Sequence, residues 1–242
     1  MKQTYKALAL SIFALSISST AHATTGAVFG AGVTEGKAKV EARVGYSIDD
    51  DNAAKDESLK SRIHFDYGVT DWYGARLTLQ QSMKKDDSYE HDNLMFENRF
   101  HIIDQEKFDL EFRAGYKFKD GDKKSDEAFV TISEQFPIGH YKIRMNQIFG
   151  HDVGEESDDG ITAQLRFQAV RSISDTHSLG LESIHAFGNL TTLSGYDNQS
   201  HEIGPVLKGK LGNGFAYETG YRAGISDGAA DHNVKFFLSK TF

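Results

Sequence analysis

The sequence predicts an all-β fold: a 12-stranded antiparallel transmembrane β-barrel with short turns at one end and longer loops at the other. Three observations predict it. From residue 40 onward, polar and apolar residues alternate with a period of two, as in strands that have two different faces. The alternation falls into twelve segments of about ten residues, the length a tilted strand needs to cross a bilayer. The connections between segments are alternately short and long.

Residues 1–23 have the three parts of a secretory signal peptide. Lys2 and Lys6 make the start positive, residues 7–18 form an apolar run, and Ala21-His22-Ala23 is a small-residue cleavage site. As a helix, the apolar run of about a dozen residues is too short to span ~30 Å of hydrocarbon. We therefore expect this leader to be removed on export, which takes the formal net charge from −8 to −10.

The twelve predicted strands follow one another along the remaining chain. They are 40–49, 59–70, 72–82, 94–103, 107–118, 126–138, 140–152, 160–173, 176–190, 200–211, 215–226 and 233–242. The longer, polar connections are 50–58, 83–93, 119–125, 153–159, 191–199 and 227–232. Tight turns on one side and longer loops on the other are typical of barrels in the bacterial outer membrane, with the turns in the periplasm.

Each predicted strand has one charged and one apolar face. In 107–118, for example, Asp109 and Glu111 alternate with Phe108 and Leu110. Side chains fill a barrel of about eight strands and leave a wide pore in one of sixteen, so twelve strands predict a narrow, water-filled channel. A secreted β-sandwich is the alternative, although it would mix loop lengths more freely. Aromatic residues near the turns fit an interfacial girdle: Tyr67, Trp72, Tyr73, Phe136, Tyr141, Phe215, Tyr217 and Phe242.

Assigning the polar face of each strand to the lumen makes the interior basic although the protein as a whole is acidic. Fourteen basic residues then point inward: Arg43, Lys60, Arg62, Arg76, Arg99, Arg113, Lys117, Lys142, Arg144, Arg166, Lys208, Lys210, Arg222 and Lys235. Seven acidic residues join them: Glu41, Asp66, Glu97, Asp109, Glu111, Glu182 and Glu218. The remaining acidic residues concentrate in the first and fourth long loops.

Basic groups around a narrow wet pore concentrate anions and repel cations. Arginine also suits carboxylates, because its planar fork binds both oxygens. The sequence therefore predicts a porin, an outer-membrane diffusion channel that prefers small anionic solutes such as acidic oligosaccharides, and not an enzyme. We expect eight arginines to line the pore and bind substrate: Arg43, Arg62, Arg76, Arg99, Arg113, Arg144, Arg166 and Arg222. The alternative is that inward arginines and glutamates pair and plug the lumen, but seven acids cannot neutralise fourteen bases.

Four features are shared with a known family: the opening strand Val40-Glu41-Ala42-Arg43-Val44-Gly45-Tyr46, the aromatic-rich turn from Tyr67 to Tyr73, the count of twelve strands and the closing Phe242. In these features the chain resembles the KdgM/NanC family of small outer-membrane porins. The resemblance implies a monomeric twelve-stranded channel for acidic oligosaccharides or sialic acid. That family lines its pore with two arginine tracks, and Arg43, Arg62, Arg76 and Arg99 would form a comparable track on neighbouring strands.

Residues 24–39 form a Gly-rich N-terminal segment between the signal peptide, 1–23, and the barrel, 40–242. The segment has no counterpart in the resemblance. Three roles are open for it: a flexible periplasmic tail, an extra strand or a partial plug. Its Gly30-Ala31-Gly32 is not a dinucleotide-binding fingerprint, because no strand-to-helix unit follows it.

Two other functions compete with the channel. The first is a lipid hydrolase, because Ser183 and His185 share a strand face and the phase of Leu179 and Leu181 directs that face to lipid. A catalytic triad needs a third group, for which Asn98 and Gln147 lie only on other strands. A strand irregularity near Gly188 would instead leave His185 in the lumen or the girdle. The second competing function is a non-transporting structural or adhesive barrel that works through its loops.

The remaining features exclude several classes of function. The chain has no cysteine, which excludes disulfides, thiolate metal sites and a cysteine nucleophile. Its acidity argues against nucleic-acid binding. The acidic loops are expected to be solvated surface, with divalent-cation binding beside lipopolysaccharide as the alternative. We assign no metal or cofactor. The expected partners are outer-membrane lipid, lipopolysaccharide, a small anionic solute and, during biogenesis, the barrel-assembly machinery.

Overall fold

A computed structural model describes residues 25–51, 56–85, 88–121, 125–155 and 157–242, so the expected signal peptide lies outside the described residues. Twelve strands account for most of the fold: β1 Ala38–Ile48, β2 Ser58–Gly68, β3 Tyr73–Met83, β4 Glu90–Gln105, β5 Phe108–Lys119, β6 Asp126–Ile138, β7 Tyr141–Val153, β8 Thr162–Ser172, β9 His177–Asn189, β10 Ser200–Gly212, β11 Phe215–Gly224 and β12 His232–Thr241. In the described ranges there is also one 3₁₀ turn, η1, at Tyr196–Asn198. Within the described residues, none of the helical structure is long and apolar enough to cross a membrane.

Every strand pairs antiparallel with its neighbours in sequence, and β1 pairs with β12 to close the barrel. The closing pair is in continuous register from Lys39 opposite Thr241 to Ile48 opposite His232. Closure leaves no strand edge exposed, which a sheet in lipid requires because no water is there to satisfy free backbone groups. The predicted twelve-stranded antiparallel barrel is confirmed.

The barrel is polar inside and apolar outside. Along β1, Glu41 and Arg43 are buried in the interior, whereas Val44 and Tyr46 are 44% and 37% exposed on the outer surface. The same division holds on β12, where Lys235 is buried and Phe236 is half-exposed. Side chains alternate strictly between the two faces of a strand, so the period-two pattern of the sequence produces this inverted arrangement directly.

The connections alternate in length as expected. Residues 69–72, 106–107, 139–140, 173–176 and 213–214 form short turns at the end where β1 begins and β12 ends. Asn213 and Gly214 both have positive φ, 50° and 80°, as the central pair of a type I′ hairpin turn requires. The longer loops lie at the other end. We call the short-turn end periplasmic and the long-loop end external.

The main departure from the predicted boundaries is β4, which runs from Glu90 to Gln105 rather than over 94–103. Its pairing with β5 shifts register between His101 and Ile103. The extra residue is Ile102, which is 58% exposed. The bulge lies within the strand, which continues past it to Gln105.

Candidate functional site in the barrel lumen

Residues 25–33, hereafter the lumenal segment, lie inside the barrel. Thr25, Ala27 and Val28 are almost completely buried. The chain leaves the lumen at the periplasmic end, where the Gly36 amide donates to the Gly68 carbonyl at 2.9 Å before β1 begins. Three roles were open for this part of the chain, and the structure agrees with the partial plug, because the segment fills part of the lumen.

Five arginines from five strands donate hydrogen bonds to carbonyl oxygens of the lumenal segment. The pairs are Arg43 to Thr25 at 3.4 Å, Arg222 to Gly26 at 3.3 Å, Arg166 to Ala27 at 2.8 Å, Arg113 to Gly30 at 3.3 Å and Arg99 to Gly32 at 2.8 Å. A buried segment without ladder partners must satisfy its backbone groups in another way. The inward arginines do this, so they hold the segment as well as line the wall.

Two further contacts fix the segment. The Phe29 amide donates to Asn146 Oδ1 at 2.7 Å, and Asn146 Nδ2 donates back to the Phe29 carbonyl at 3.0 Å. The Gly32 amide donates to Glu111 Oε2 at 2.9 Å. The side chain of Asn146 therefore pairs with Phe29 as a neighbouring strand would.

The Phe29 ring lies among four guanidinium groups. Their central carbons are 4.3 Å (Arg113), 5.1 Å (Arg76), 5.5 Å (Arg43) and 5.5 Å (Arg166) from the ring centroid. Cations are attracted to the face of an aromatic ring, and more strongly where water is excluded. The ring is therefore held in the middle of the lumen rather than against one wall.

Phe29 lies between two cavities. The larger, about 990 Å³, opens toward the periplasmic end and is lined by Arg144, Lys142 and Lys210 among others. The smaller, about 220 Å³, lies toward the external end and is lined by Arg62 and Arg166. Phe29 lines both cavities, so its ring lies at the boundary between them.

The structure divides the eight arginines predicted from the sequence into two groups. Five form ion pairs with carboxylates: Arg43 with Glu41, Arg76 with Asp66, Arg99 and Arg113 with Glu111, and Arg222 with Glu182. Within the described residues, the other three have no carboxylate within the 4 Å of an ion pair. Each instead donates its Nε to a glutamine Oε1: Arg62 to Gln80, Arg144 to Gln135 and Arg166 to Gln164.

The count of seven inward acids was too low. Glu202 is buried and pairs with Arg222 at 2.8 Å, and Glu127 pairs with Lys117 at 2.7 Å. Glu202 shares its strand face with Lys208 and Lys210, which were assigned inward, and Glu127 shares its face with the buried polar residues Thr131 and Ser133. Extending the period-two pattern along both strands would have found them. The excess of basic over acidic groups in the lumen is therefore smaller than the sequence count.

The side chains of Ser183 and His185 lie on the same face of β9 as those of Leu179 and Leu181, which are about half-exposed on the outer surface of the barrel. The irregularity in β9 comes later, where its register with β8 changes between Ala163 and Gln164. His185 therefore stays on the outer face, and the expected slip into the lumen does not occur.

Ser183 Oγ lies 3.1 Å from His185 Nε2, and His185 Nδ1 lies 3.1 Å from His201 Nδ1 on β10. The third group is thus His201, not Asn98 or Gln147. The sequence reasoning missed it because the strand register that places His201 opposite His185 is set by the loop between them.

No protein-family model and no curated protein sequence matches this chain. Solved structures do match its fold. The COG4313 outer membrane channel from Pseudomonas putida F1 superposes with a TM-score of 0.67 at 7% identity, over 90% of this chain and 99% of that one. The KdgM porin superposes with a TM-score of 0.59 at 7% identity over 84% and 99%, and the NanC porin with 0.58 at 9% over 84% and 98%.

At these low sequence identities, the superpositions show a shared fold and nothing about function. This fold is the one implied by the resemblance to the KdgM/NanC family. The location follows from the apolar outer surface. A closed barrel with apolar side chains outside and charged ones inside is stable only where lipid covers it, and such barrels are structures of the outer membrane. The chain is therefore a bacterial outer-membrane β-barrel with the fold of the KdgM and NanC porins.

Proposed function

We propose that this protein is a monomeric outer-membrane diffusion channel, narrow and selective for small anionic solutes such as acidic oligosaccharides. The channel part of the proposal is supported by the fold shared with a solved outer-membrane channel and two porins. The anionic preference is supported by the basic groups that line the two cavities.

One observation supports the anion selectivity: Arg62, Arg144 and Arg166 line the cavities, and no carboxylate of the described residues forms an ion pair with them. Arg62 and Arg166 face the external cavity, and Arg144 faces the periplasmic one, so basic groups lie on both sides of Phe29. Their bonds to glutamine do not neutralise the guanidinium charge, and the carboxylates that act on it do so from beyond ion-pair distance. In a confined lumen of low dielectric constant, such a charge attracts an anion much more strongly than at a surface in water.

The arginines paired with Glu41, Asp66, Glu111 and Glu182 have a different role in this proposal. Their charge is largely compensated, and several of them bind the lumenal segment. They shape the constriction and fix its position, while the three unpaired arginines supply the field that selects the solute. This division narrows the set of eight selectivity residues expected from the sequence to three.

The test is the reversal potential of the refolded barrel in planar bilayers under a KCl gradient. We expect anion selectivity in the wild type and a shift toward cations in Arg62→Gln, Arg144→Gln and Arg166→Gln. Arg171→Gln is the matched control, because it removes the same charge from an exposed position at the end of β8. Equal reversal potentials in all four variants and the wild type would refute the assignment.

The solute class is tested in the same bilayers. A galacturonate trimer should interrupt the single-channel current transiently, whereas a neutral trisaccharide of similar size should not. The three glutamine variants should shorten the blocked times. Block of equal duration by the charged and neutral sugars would mean that width alone selects the solute.

A second candidate, an outer-leaflet lipid hydrolase, is favoured by the hydrogen-bonded series Ser183, His185 and His201 on the outer face. Such a series can activate a serine hydroxyl as a nucleophile. We prefer the channel because Ser183 is only 8% exposed and His201 only 3%. The His201 ring is also covered by the stacked ring of Tyr196, whose centroid is 4.4 Å away.

The hydrolase candidate is tested by the release of fatty acid from phospholipid vesicles that contain the purified barrel. The channel proposal predicts equal, background release from the wild type and Ser183→Ala. Release by the wild type that Ser183→Ala abolishes, while its conductance stays normal, would establish the second activity.

A further inference from the structure

A group of three possible metal ligands lies where β4 and β5 meet at the periplasmic end. One ligand atom from each of His101, Asp104 and Asp109 lies within 4.8 Å of the other two. The three residues come from one hairpin, whose turn is at 106–107. Gln135 links the group to Arg144, one of the three arginines of the proposed selectivity: it donates to Asp109 Oδ2 and accepts from Arg144 Nε.

The bulge at Ile102 brings this group together. Without it, His101 and Asp104, three positions apart, would point to opposite faces of the strand. The extra residue changes the phase, so Asp104 returns to the face of His101 and lies opposite Asp109 in the β4–β5 register. Bulges commonly redirect a side chain in this way.

The pairing of Asp104 with Asp109 is itself unfavourable, because like charges directly opposite each other destabilise a sheet. Across the described residues, no lysine or arginine nitrogen lies within 4 Å of either carboxylate. Lys142 acts on Asp109 from beyond that distance. Among the described residues, His101 is the basic group within 4 Å of the pair.

The imidazole of His101 points into the group. Its side chain is 8% exposed, its Nε2 makes no hydrogen bond, and this atom lies 3.6 Å from Asp109 Oδ1. That distance is too long for a hydrogen bond. It is close to the ~3.4 Å that separates two ligands of one tetrahedral Zn²⁺ with bonds of about 2.0–2.2 Å. The other oxygen of Asp109 accepts a hydrogen bond from Gln135 Nε2 at 3.0 Å, which orients the carboxylate as an outer partner of a metal ligand does.

We propose that His101, Asp104 and Asp109 bind a divalent transition-metal cation, with Zn²⁺ as the best fit. One imidazole nitrogen and two carboxylate oxygens are ligands that Zn²⁺ accepts, and water completes a tetrahedral shell. Ca²⁺ and Mg²⁺ fit less well, because they prefer a complete set of oxygen ligands. The cation neutralises the facing carboxylates and joins the two strands beside their turn.

The test is titration of the folded barrel in detergent micelles with ZnCl₂, followed by isothermal calorimetry. We expect one site per barrel, and affinity reduced at least tenfold in His101→Ala and in Asp104→Asn. His140→Ala is the matched control, since this exposed histidine lies in another turn at the same end and should leave the affinity unchanged. Co²⁺ in place of Zn²⁺ should give the visible absorption of a tetrahedral nitrogen–oxygen site in the wild type and lose it in Asp104→Asn.

Folding of each variant is checked by the heat-dependent shift of its mobility on a gel. If His101→Ala does not fold, the exposed Asp104 decides the outcome, because Asp104→Asn removes a ligand without opening a cavity. The proposal is wrong if the wild type binds no Zn²⁺, or if Asp104→Asn binds it as tightly as the wild type and His140→Ala do.

Discussion

The Phe29 ring centroid lies 4.3 Å from the guanidinium carbon of Arg113, and Arg113 is in turn held by Glu111 through an ion pair of 2.5 Å. Glu111 also accepts the Gly32 amide of the same lumenal segment. The ring at the centre of the lumen is therefore positioned by a charged network in the barrel wall. Because the ring lies between the two cavities, its position sets the width of the path that a solute takes from one cavity to the other.

Phe29→Ala is expected to raise the single-channel conductance about twofold or more. The substitution removes the ring that lines both cavities but keeps the backbone hydrogen bonds that fix the segment. Phe236→Ala is the matched control, because Phe236 is half-exposed on the lipid-facing side of β12 and its loss should leave the conductance unchanged. An unchanged current in Phe29→Ala would mean that the solute path bypasses this ring.

Deleting residues 25–33 is expected to raise the conductance further and to increase the anion selectivity. The deletion removes the carbonyl groups that five arginines now bind. Four of these arginines keep their carboxylate partners, so the gain in selectivity comes from Arg166, whose charge becomes accessible to anions in the enlarged lumen. Reversal potential and conductance in the same bilayers measure both effects. A deletion variant that conducts like the wild type would show that the lumenal segment does not narrow the path.

Arg222→Met is expected to destabilise the barrel by roughly 3–5 kcal/mol, because removing one partner leaves a buried charge uncompensated. Arg222 bonds Glu202 at 2.8 Å and Glu182 at 2.7 Å, and all three side chains are almost fully buried. In the variant, Lys235 would still pair with Glu182. Glu202 would then be the buried carboxylate whose charge is no longer compensated. The measurement is the urea dependence of folding in detergent micelles.

Two variants control this prediction. Lys107→Met changes an exposed lysine in a turn and should have little effect. The double variant Arg222→Met with Glu202→Gln should recover part of the stability, because it removes the uncompensated charge, and the difference measures the coupling. If the double variant loses as much stability as Arg222→Met and Glu202→Gln lose together when each is measured alone against the wild type, the two groups do not act as a pair.

The period of two predicts the barrel and the face on which each side chain lies. It placed Arg43 inside and Val44 outside correctly, because one face of each strand contacts lipid and the other does not. The same pattern says nothing about contacts across the lumen. Glu182 meets Arg222 and Lys235 from strands that are not its neighbours, and this depends on the curvature and width of the closed barrel.

The sequence could not decide among the three roles open for the lumenal segment, because the segment has no hydrophobic period. Its glycines and apolar residues suit a flexible tail as well as a buried strap. The available signal was indirect: an excess of inward arginines needs acceptors, and a glycine-rich segment with one aromatic residue, Phe29, can supply carbonyls and a ring. The group formed by His101, Asp104 and Asp109 could not be predicted for a related reason. The single inserted residue Ile102 shifts the alternation, so Asp104 points to the face opposite to the one that a regular strand would give it.

Gly204→Ala is expected to destabilise the barrel by about 1–3 kcal/mol, the usual cost of an atom forced into a packed site. A Cβ at Gly204 would lie 1.9 Å from the Tyr221 carbonyl oxygen and 2.9 Å from the Arg222 Cα of β11. Neither is the movable end of a side chain, so β10 and β11 must separate locally. The next residue, Pro205, donates no ladder hydrogen bond that could offset the strain.

Gly195→Ala is the matched control, because the added methyl would meet nothing within 4 Å. The urea midpoint of folding and the fraction of heat-resistant barrel on a gel measure both variants. We expect a lower midpoint for Gly204→Ala alone. Because Arg222 holds both Glu202 and the Gly26 carbonyl, the displaced strand should also loosen the lumenal segment and raise the conductance. A midpoint equal to that of the wild type would show that the two strands have room to separate without loss.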